Sequence, residues 1–312
     1  MNNTGINEKQ TKNLISIKKK SHVVQDKDSK VFNAINIALL LVFTIVIIVP
    51  IWNVVASSFA SSESLARGDF IFLPDELSLD NYISVLNDPS IWSSLFISVA
   101  RTLVGVLGHT AFCAVIAYAL AKQNLKGRKL YSTMGIITMF FTGGMIPTYL
   151  LIKSLGLLNS FWVYILPALF SYYDVIILMN FFRDVPTSLE ESAKIDGASD
   201  WKVFTSIFVP LSKPALATIA LFHGVWQWND FMSAKLYITD KALYPLQMKL
   251  YEIIVQSQSA SSQGLNAAVA ISTTSKGIQL ATIVITTIPI LIIYPLLQKH
   301  FISGMMLGAV KE

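Results

Sequence analysis

Charge is scarce in this 312-residue chain: Asp, Glu, Lys and Arg make up 14% of it, against 53% hydrophobic residues. Soluble domains carry roughly a quarter charged residues, so this deficit, with a mean hydropathy of +0.56, excludes an ordinary soluble domain and points to a membrane protein. Cysteine is nearly absent. The one thiol, Cys113, sits inside an apolar run, which leaves no disulfide framework and no metal-ligand cluster. No GxxxxGK[ST] stretch occurs, so the chain does not bind ATP through a P-loop of its own, and without HExxH or GxSxG an intramembrane hydrolase has little support. The halves show no repeat, which counts against the secondary transporters built from internal repeats around a mid-membrane ion site. A cleavable signal peptide is not expected either, because the first apolar run begins only after about thirty polar residues.

What is present is a set of uncharged runs with basic flanks. The net charge of +5 comes from lysines and arginines gathered beside apolar runs, which reads as topology signalling and not as a nucleic-acid surface. Residues 1–30 form a basic tail with Lys9, Lys12, Lys18, Lys19, Lys20, Lys27 and Lys30. Residues 31–312 form the membrane domain, with spans predicted at about 34–55, 91–121, 130–152, 161–182, 215–233 and 277–298. The acidic stretch after the first span carries Arg67 as its one base, and Lys122, Lys126, Arg128 and Lys129 follow the second span. That asymmetry places both termini in the cytoplasm. Gly143, Gly144 and Pro147 are expected to break or kink the third span. Residues 234–276, rich in Ser, Gln and Asn, are expected as a long structureless external loop.

Residues 186–214, PTSLEESAKIDGASDWKVFTSIFVPLSKP, separate the fourth and fifth spans by far more chain than a connection needs. Ser188 and Glu191 have the spacing of a capping box. Gly197 fits a left-handed helix end, Ser199 fits the cap of a second helix, and Pro210 and Pro214 are expected to stop that helix. The first helix is too short to stand alone in water, so it must pack on something. Leu189, Ser192, Ala193 and Asp196 share the face on which a close approach is expected. An interfacial helix lying under the membrane accounts for the same residues.

The string Glu191-Ser192-Ala193, three residues, Gly197, nine residues, Ile207, one residue, Val209-Pro210 resembles the EAA motif of permease subunits of ATP-binding-cassette importers. It departs from the family pattern at Ser192 and Val209, where alanine and leucine are usual. IDGAS at 195–199, PTYLLIKSLGLLNS at 147–160, WND at 228–230 and GAVK at 308–311 extend the likeness. They resemble the MalG-type carbohydrate branch, and within it the LplC/YtcP type of oligosaccharide permeases. The resemblance implies an all-α polytopic membrane protein of a bacterial cell membrane, with six transmembrane helices, the type I ABC importer permease fold and a cytoplasmic coupling helix. Glu190, Glu191, Ser192, Ala193, Asp196, Gly197 and Ala198 would couple to separate ATPase subunits that bind the ATP and Mg; the chain itself would need no cofactor. Glu191 would serve both the cap and a salt bridge across the subunit boundary, leaving Arg183, Lys194 and Lys202 as topology and lipid contacts. A second, related permease, an external sugar-binding protein and a carbohydrate substrate complete the implied partners, with no nucleic acid among them. The loop 234–276 would reach into the binding protein, and the GMMLGAVKE tail would lie near the ATPase pair or simply fray.

Ionisable residues inside spans are costly and usually face a bundle interior or a cavity. Asn229, Asp230, Trp228 and Trp226, followed by Tyr172, Tyr173 and Asp174, are candidates for a path that bonds sugar hydroxyls and stacks on sugar faces. Interhelical pairing, such as Arg101 with Asp174, and an interfacial tryptophan belt explain the same residues. A channel or secondary transporter without ATPase coupling, or an assembly protein without transport, remains the competing function.

Overall fold

The computed structural model describes residues 27–67, 70–262, 276–293 and 295. The basic tail up to residue 26, residues 263–275 of the expected loop and the GMMLGAVKE tail lie outside the described residues. Two compact units divide the chain, one up to Asn53 and one from Val54 onward. The first is mostly the helix α1, Lys27–Ser58. Its uncharged run is apolar all round and exposed along its length, as a helix whose surroundings are hydrocarbon should be.

In the second unit short helices α2, Ser62–Ala66, and α3, Asp80–Leu86, precede α4, Pro89–Ala121. The Asp88 carboxylate accepts from the Ser90 N–H and Pro89 opens the first turn, so α4 starts where sequence rules put it. Its 33 residues span about 50 Å. Then come α5, Arg128–Phe140, and α6, Met145–Ser154, joined across a 116° bend. Gly144 supplies the positive φ of 84° at that bend, as the Gly143, Gly144 and Pro147 cluster predicts. Two 3-10 turns at Phe161–Tyr164 and Leu166–Ala168 lead at 52° into α7, Tyr172–Arg183. The 186–214 segment holds α8, Thr187–Ile195, and α9, Asp200–Leu211, with a π-helical turn at Phe204–Phe208. After an 80° bend at Ser212, α10 runs over Lys213–Asn229. Pro210 does not stop the second helix; it lies in the last turn before the bend.

Three single helices (the third being α13, Lys276–Ile293) and three bent pairs thus have the length and composition to make six crossings. The expectation of a structureless loop after the fifth span fails. Within 234–276 lie α11, Met232–Tyr237, a 3-10 turn at Lys241–Leu243, and α12, Leu246–Ser262. Leu246 and Met248 are buried, and the Leu246 N–H donates to Ser98 Oγ of α4 at 2.7 Å. The segment is helical because one of its faces has a core to cover, which its serines and glutamines conceal. Asn159 clamps the same end: its Oδ1 accepts from the Thr239 and Asp240 N–H groups at 2.6 and 3.1 Å.

Helix α4 packs on α10 and α7, burying Ser94, Ser98, Arg101, Gly105, His109, Cys113 and Ala117 at helical spacing. At its far end Tyr118 meets Phe208, Phe204 and Phe182 with ring centroids 4.9–6.4 Å apart, which roots the 186–214 segment in the core. Between α5 and α7 the approach depends on a glycine, because a Cβ on Gly135 would lie 2.2 Å from the buried Tyr172 ring. Gly135→Ala should therefore lower stability by about 1–3 kcal/mol, read as a lower thermal midpoint of the purified complex. Gly143→Ala, whose Cβ would meet Pro147 at an ordinary 3.5 Å, should leave that midpoint in place.

Candidate functional site

The 186–214 segment is ordered by its ends and by one ion-pair network. Helix α8 stops in the Schellman pattern: the Ala198 N–H donates to Ala193 O, the Gly197 N–H to Lys194 O, and Gly197 takes a φ of 81°. Ser199 Oγ then accepts from the Lys202 N–H and caps α9. The predicted capping box does not form. The helix begins at Thr187, two residues before the box would need it, with Pro186 at its cap and no side-chain cap bond.

Glu190 turns inward instead, where its carboxylate meets Lys122 Nζ from the end of α4 and Lys194 Nζ at 2.9 Å; Lys194 also reaches Asp200 at 3.2 Å. Partial burial works against ionisation of Glu190, but the hydrogen bonds from Lys122 and Lys194 outweigh it and hold the carboxyl below its usual range. Hydrogen bonds to Glu190 and Asp200 hold Lys194 above its own. Lys122 also lies 4.2 Å above the Tyr118 ring, whose hydroxyl donates to Asp200 O at 3.3 Å.

Several expectations are therefore corrected. Within the chain the ion-paired acid is Glu190; Glu191 does not cap the helix, and it is exposed, where a salt bridge across a subunit boundary would need it. Lys194 is also a structural partner of Glu190 and Asp200, and Lys122, read from sequence only as a topology signal, is the other anchor. Of the face on which a close approach is expected, Leu189, Ser192 and Asp196 are exposed, along with Ile195, which is 86% exposed, and Trp201, while Ala193 turns to the core. Ala198 packs on the core beside Ala193, and Gly197 is exposed at the tip with open space around it.

Inside the spans, Arg101 does not pair with Asp174. It is 1% exposed and donates to Gln227 Oε1 at 2.9 Å, Asp230 Oδ2 at 2.8 Å and Asp230 O at 2.9 Å, with its guanidinium 4.3 Å above the Tyr164 ring. Gln227 completes its amide by donating to Tyr164 O, and it lies so close to α4 that a Cβ on Gly105 would come within 2.7 Å of it. Asp174 bonds His109 at 3.0 Å, and the His109 ring stacks on His223 at 3.8 Å.

The seven path candidates divide accordingly. Asp230 is committed to Arg101 and to the first N–H groups of α11; Asp174 is committed to His109. Trp228 is buried and donates to Thr286 O of α13, and Tyr172 is buried against α5. Trp226 and Asn229 remain exposed and line a concavity of about 560 Å³ with Leu221, Val225, Phe231 and Ile290, where Asp230 also reaches the wall. Tyr173 is exposed but does not line that concavity. Phe231 and Ile290 were missed because nothing but spacing from Asn229, or the packing of a distant helix, places them there. Among the described residues no group of three or more His, Cys, Asp or Glu side chains could hold a metal ion.

These features define a polytopic helical membrane protein with a helical segment rooted in the core at one end and an aromatic concavity in its spans. The family model described as the inner membrane component of binding-protein-dependent transport systems matches residues 27–307, and the chain belongs to that family. It is a permease component of a bacterial membrane and not an enzyme. Protein LplC of Bacillus subtilis (strain 168) is 45% identical over 285 residues, covering 91% of this chain and 96% of that protein. The polygalacturonan/rhamnogalacturonan transport system permease protein YtcP of the same organism is 41% identical over 283 residues, covering 91% and 99%. A solved bacterial ABC transporter involved in the import of the acidic polysaccharide alginate matches with a TM-score of 0.80 at 30% identity, over 88% of this chain and 98% of its own.

Two outcomes follow from this geometry. A buried charge left without its partner costs about 3–5 kcal/mol, so Arg101→Ala should lower the thermal midpoint of the purified complex sharply. Arg101→Met combined with Asp230→Asn should recover most of the loss. Because the Glu190 carboxyl sits below its usual range, its contribution is full above the ordinary carboxylate pKa of about 4.3 and fades as pH falls through the lower folded value. Hydrogen exchange across 187–195, corrected for intrinsic rates, should rise in acid in the native chain. In Glu190→Gln it should be high at neutral pH and show no such acid step.

Proposed function

We propose that this chain is the transmembrane permease of an ATP-driven, binding-protein-dependent importer of oligosaccharides, forming half of the translocation path beside a second, related permease. The observation that carries the reading is the 186–214 segment: capped at both of its internal boundaries, tied to α4 through Lys122 and Glu190, and presenting Leu189, Ile195 and Trp201 outward. An exposed apolar patch on a charged, rooted segment marks a partner surface. The EAA-like spacing makes that partner an ATPase subunit, which binds the ATP and Mg, while this chain carries no cofactor. Glu190 and Ala193 transmit the movement inward; Glu191, Ser192, Asp196 and Gly197 lie at the interface, with Ala198 supporting them from the core. The segment then faces the cytoplasm, as do both termini, and the α11–α12 end faces the external binding protein.

The relatives named above for polygalacturonan and alginate transport support carbohydrate as the cargo. Trp226 and Asn229 offer what a sugar needs, an aromatic face for its C–H groups and an amide for its hydroxyls. Asp230 acts from behind by fixing the end of α10.

Ile195→Arg and Leu189→Arg change only exposed side chains. Each should reduce co-purification of the ATPase with the permease pair and reduce hydrolysis stimulated by the loaded binding protein, with the thermal midpoint of the permease pair unchanged. Normal co-purification and stimulation in the double variant would remove the segment from the ATPase interface and favour a transporter without ATPase coupling.

A further inference from the structure

Toward the end of α4 remote from the docking segment, α11, the turn after it and α12 carry the three lysines Lys235, Lys241 and Lys249. Lys241 pairs with Glu252 at 3.4 Å and Lys249 with Asp88 at 3.7 Å. Among the described residues, no ion pair forms at Lys235. Its exposed ammonium donates instead to the Tyr251 hydroxyl at 2.6 Å and lies 4.4 Å from the centre of that ring. Tyr251 in turn stacks on Phe231 at 5.1 Å, and Phe231 lines the concavity with Trp226 and Asn229. An ammonium has three donors, and here one is spent on a phenol that positions the nitrogen without neutralising it. The result is a held, uncompensated cation on an aromatic step at the rim of the path.

We propose that Lys235, with Tyr251 and Phe231, is a subsite for the carboxylate of a hexuronate residue, so that the cargo is an acidic oligosaccharide. This rests on the carbohydrate reading above. Phe231 and Tyr251 cover the C–H face of the sugar, and the two free donors of Lys235 take its carboxylate in a charge-assisted bond. Elsewhere the concavity carries no uncompensated charge, because Asp230, the one ionisable residue in its wall, is committed to Arg101. The arrangement suits a polyuronate. Every sugar of such a chain carries a carboxylate, so one cation at the rim engages each residue in turn, while a row of cations would hold the chain too tightly to release it. Both the alginate importer and the polygalacturonan permease named above handle polymers of this chemistry.

The test uses the complete transporter in nanodiscs with its cognate binding protein, and trigalacturonate and its fully methyl-esterified form as probes. Trigalacturonate should stimulate ATP hydrolysis in the native complex. Lys235→Gln should raise the half-stimulating concentration about fivefold, the scale of one exposed ion pair, while Lys235→Arg and Lys241→Gln leave it close to native. Carbodiimide-activated trigalacturonate should become amide-linked to Lys235 in preference to Lys241 and Lys249, as read by peptide mass spectrometry; that measurement is independent of the binding protein's own selectivity. The proposal is overturned if Lys235→Gln leaves the trigalacturonate response unchanged, if the ester stimulates as well as the acid, or if labelling is equal at the three lysines. Stimulation by a neutral oligosaccharide alone would sink the acidic cargo and leave carbohydrate import standing. Stimulation by no oligosaccharide would sink the carbohydrate reading itself.

Discussion

A bilayer core offers no hydrogen-bonding partner to a side chain, so every polar group on a spanning helix must find one within the protein. Helix α4 meets that constraint at its charged, imidazole and phenol side chains, while the buried hydroxyls of Ser90, Thr102 and Thr110 find no partner among the described residues, and much of the unit is arranged by the answers. Ser98 takes the first N–H of α12, Arg101 takes Gln227 and Asp230 at the end of α10, and His109 takes Asp174 on α7. Tyr118 takes a carbonyl of α9 and Lys122 takes Glu190 on α8. One helix thus touches both the end that carries α11 and α12 and the end that carries the docking segment. A displacement of α8 would pull on the same rod whose middle fixes the end of α10.

The character of these bonds changes along the rod in a way that suits transmission. In the middle they are buried, multidentate and shared among three helices, as with Arg101, Gln227, Asp230 and Tyr164. Such a network adds little net stability over an apolar core of the same shape, but only one arrangement of helices satisfies it, so it specifies register. At the docking end the bonds are partly exposed ion pairs of longer side chains, which tolerate small displacements without leaving a buried charge unpaired. Sharp bends at Phe141–Gly144, at Ser171 and at Ser212 separate the short helical pieces from one another. Discrete pieces hinged beside a fixed rod are the parts from which domain-closure transitions are made.

How far the sequence speaks for this arrangement depends on whether a feature is local. Uncharged runs of membrane length, the Gly143, Gly144 and Pro147 break, the Gly197 terminus and the Ser199 cap are all decided within a few residues, and all are where the sequence puts them. Pairing is not local. Arg101 lies 129 residues from Asp230, and nothing in the periodicity of α4 says whether α7 or α10 brings the carboxylate to it. The choice between Glu190 and Glu191 depends on Lys122, 68 residues away; spacing alone favours the capping box, whereas the helix starts two residues earlier and Glu190 takes the tertiary ion pair. Helix α12 was hidden for a related reason. Its Ser and Gln content reads as loop until the buried side of α4, with Ser98 and its neighbours, supplies the surface on which Leu246 and Met248 pack.

The path candidates show the same logic at the scale of a single turn. From Trp226 to Asp230 successive residues of α10 point to different neighbours: Gln227 and Asp230 to Arg101, Trp228 to Thr286 on α13, Trp226 and Asn229 to the open concavity. Sequence reasoning puts Asn229 and Asp230 first, with Trp226 and Trp228 beside them, and passes over Gln227, because cost in the membrane marks a polar group as special without saying what it faces. Geometry then assigns the charged one, Asp230, to holding the helix and leaves an amide and an indole facing the concavity. The division has a physical basis. A carboxylate or guanidinium facing the path would bind its ligand strongly and at one place, whereas an amide and a ring interact weakly with any sugar residue that passes. Inside the concavity a paired charge fixes the wall and neutral groups line the rest; the cation proposed to meet a carboxylate, Lys235, stands outside it at the rim.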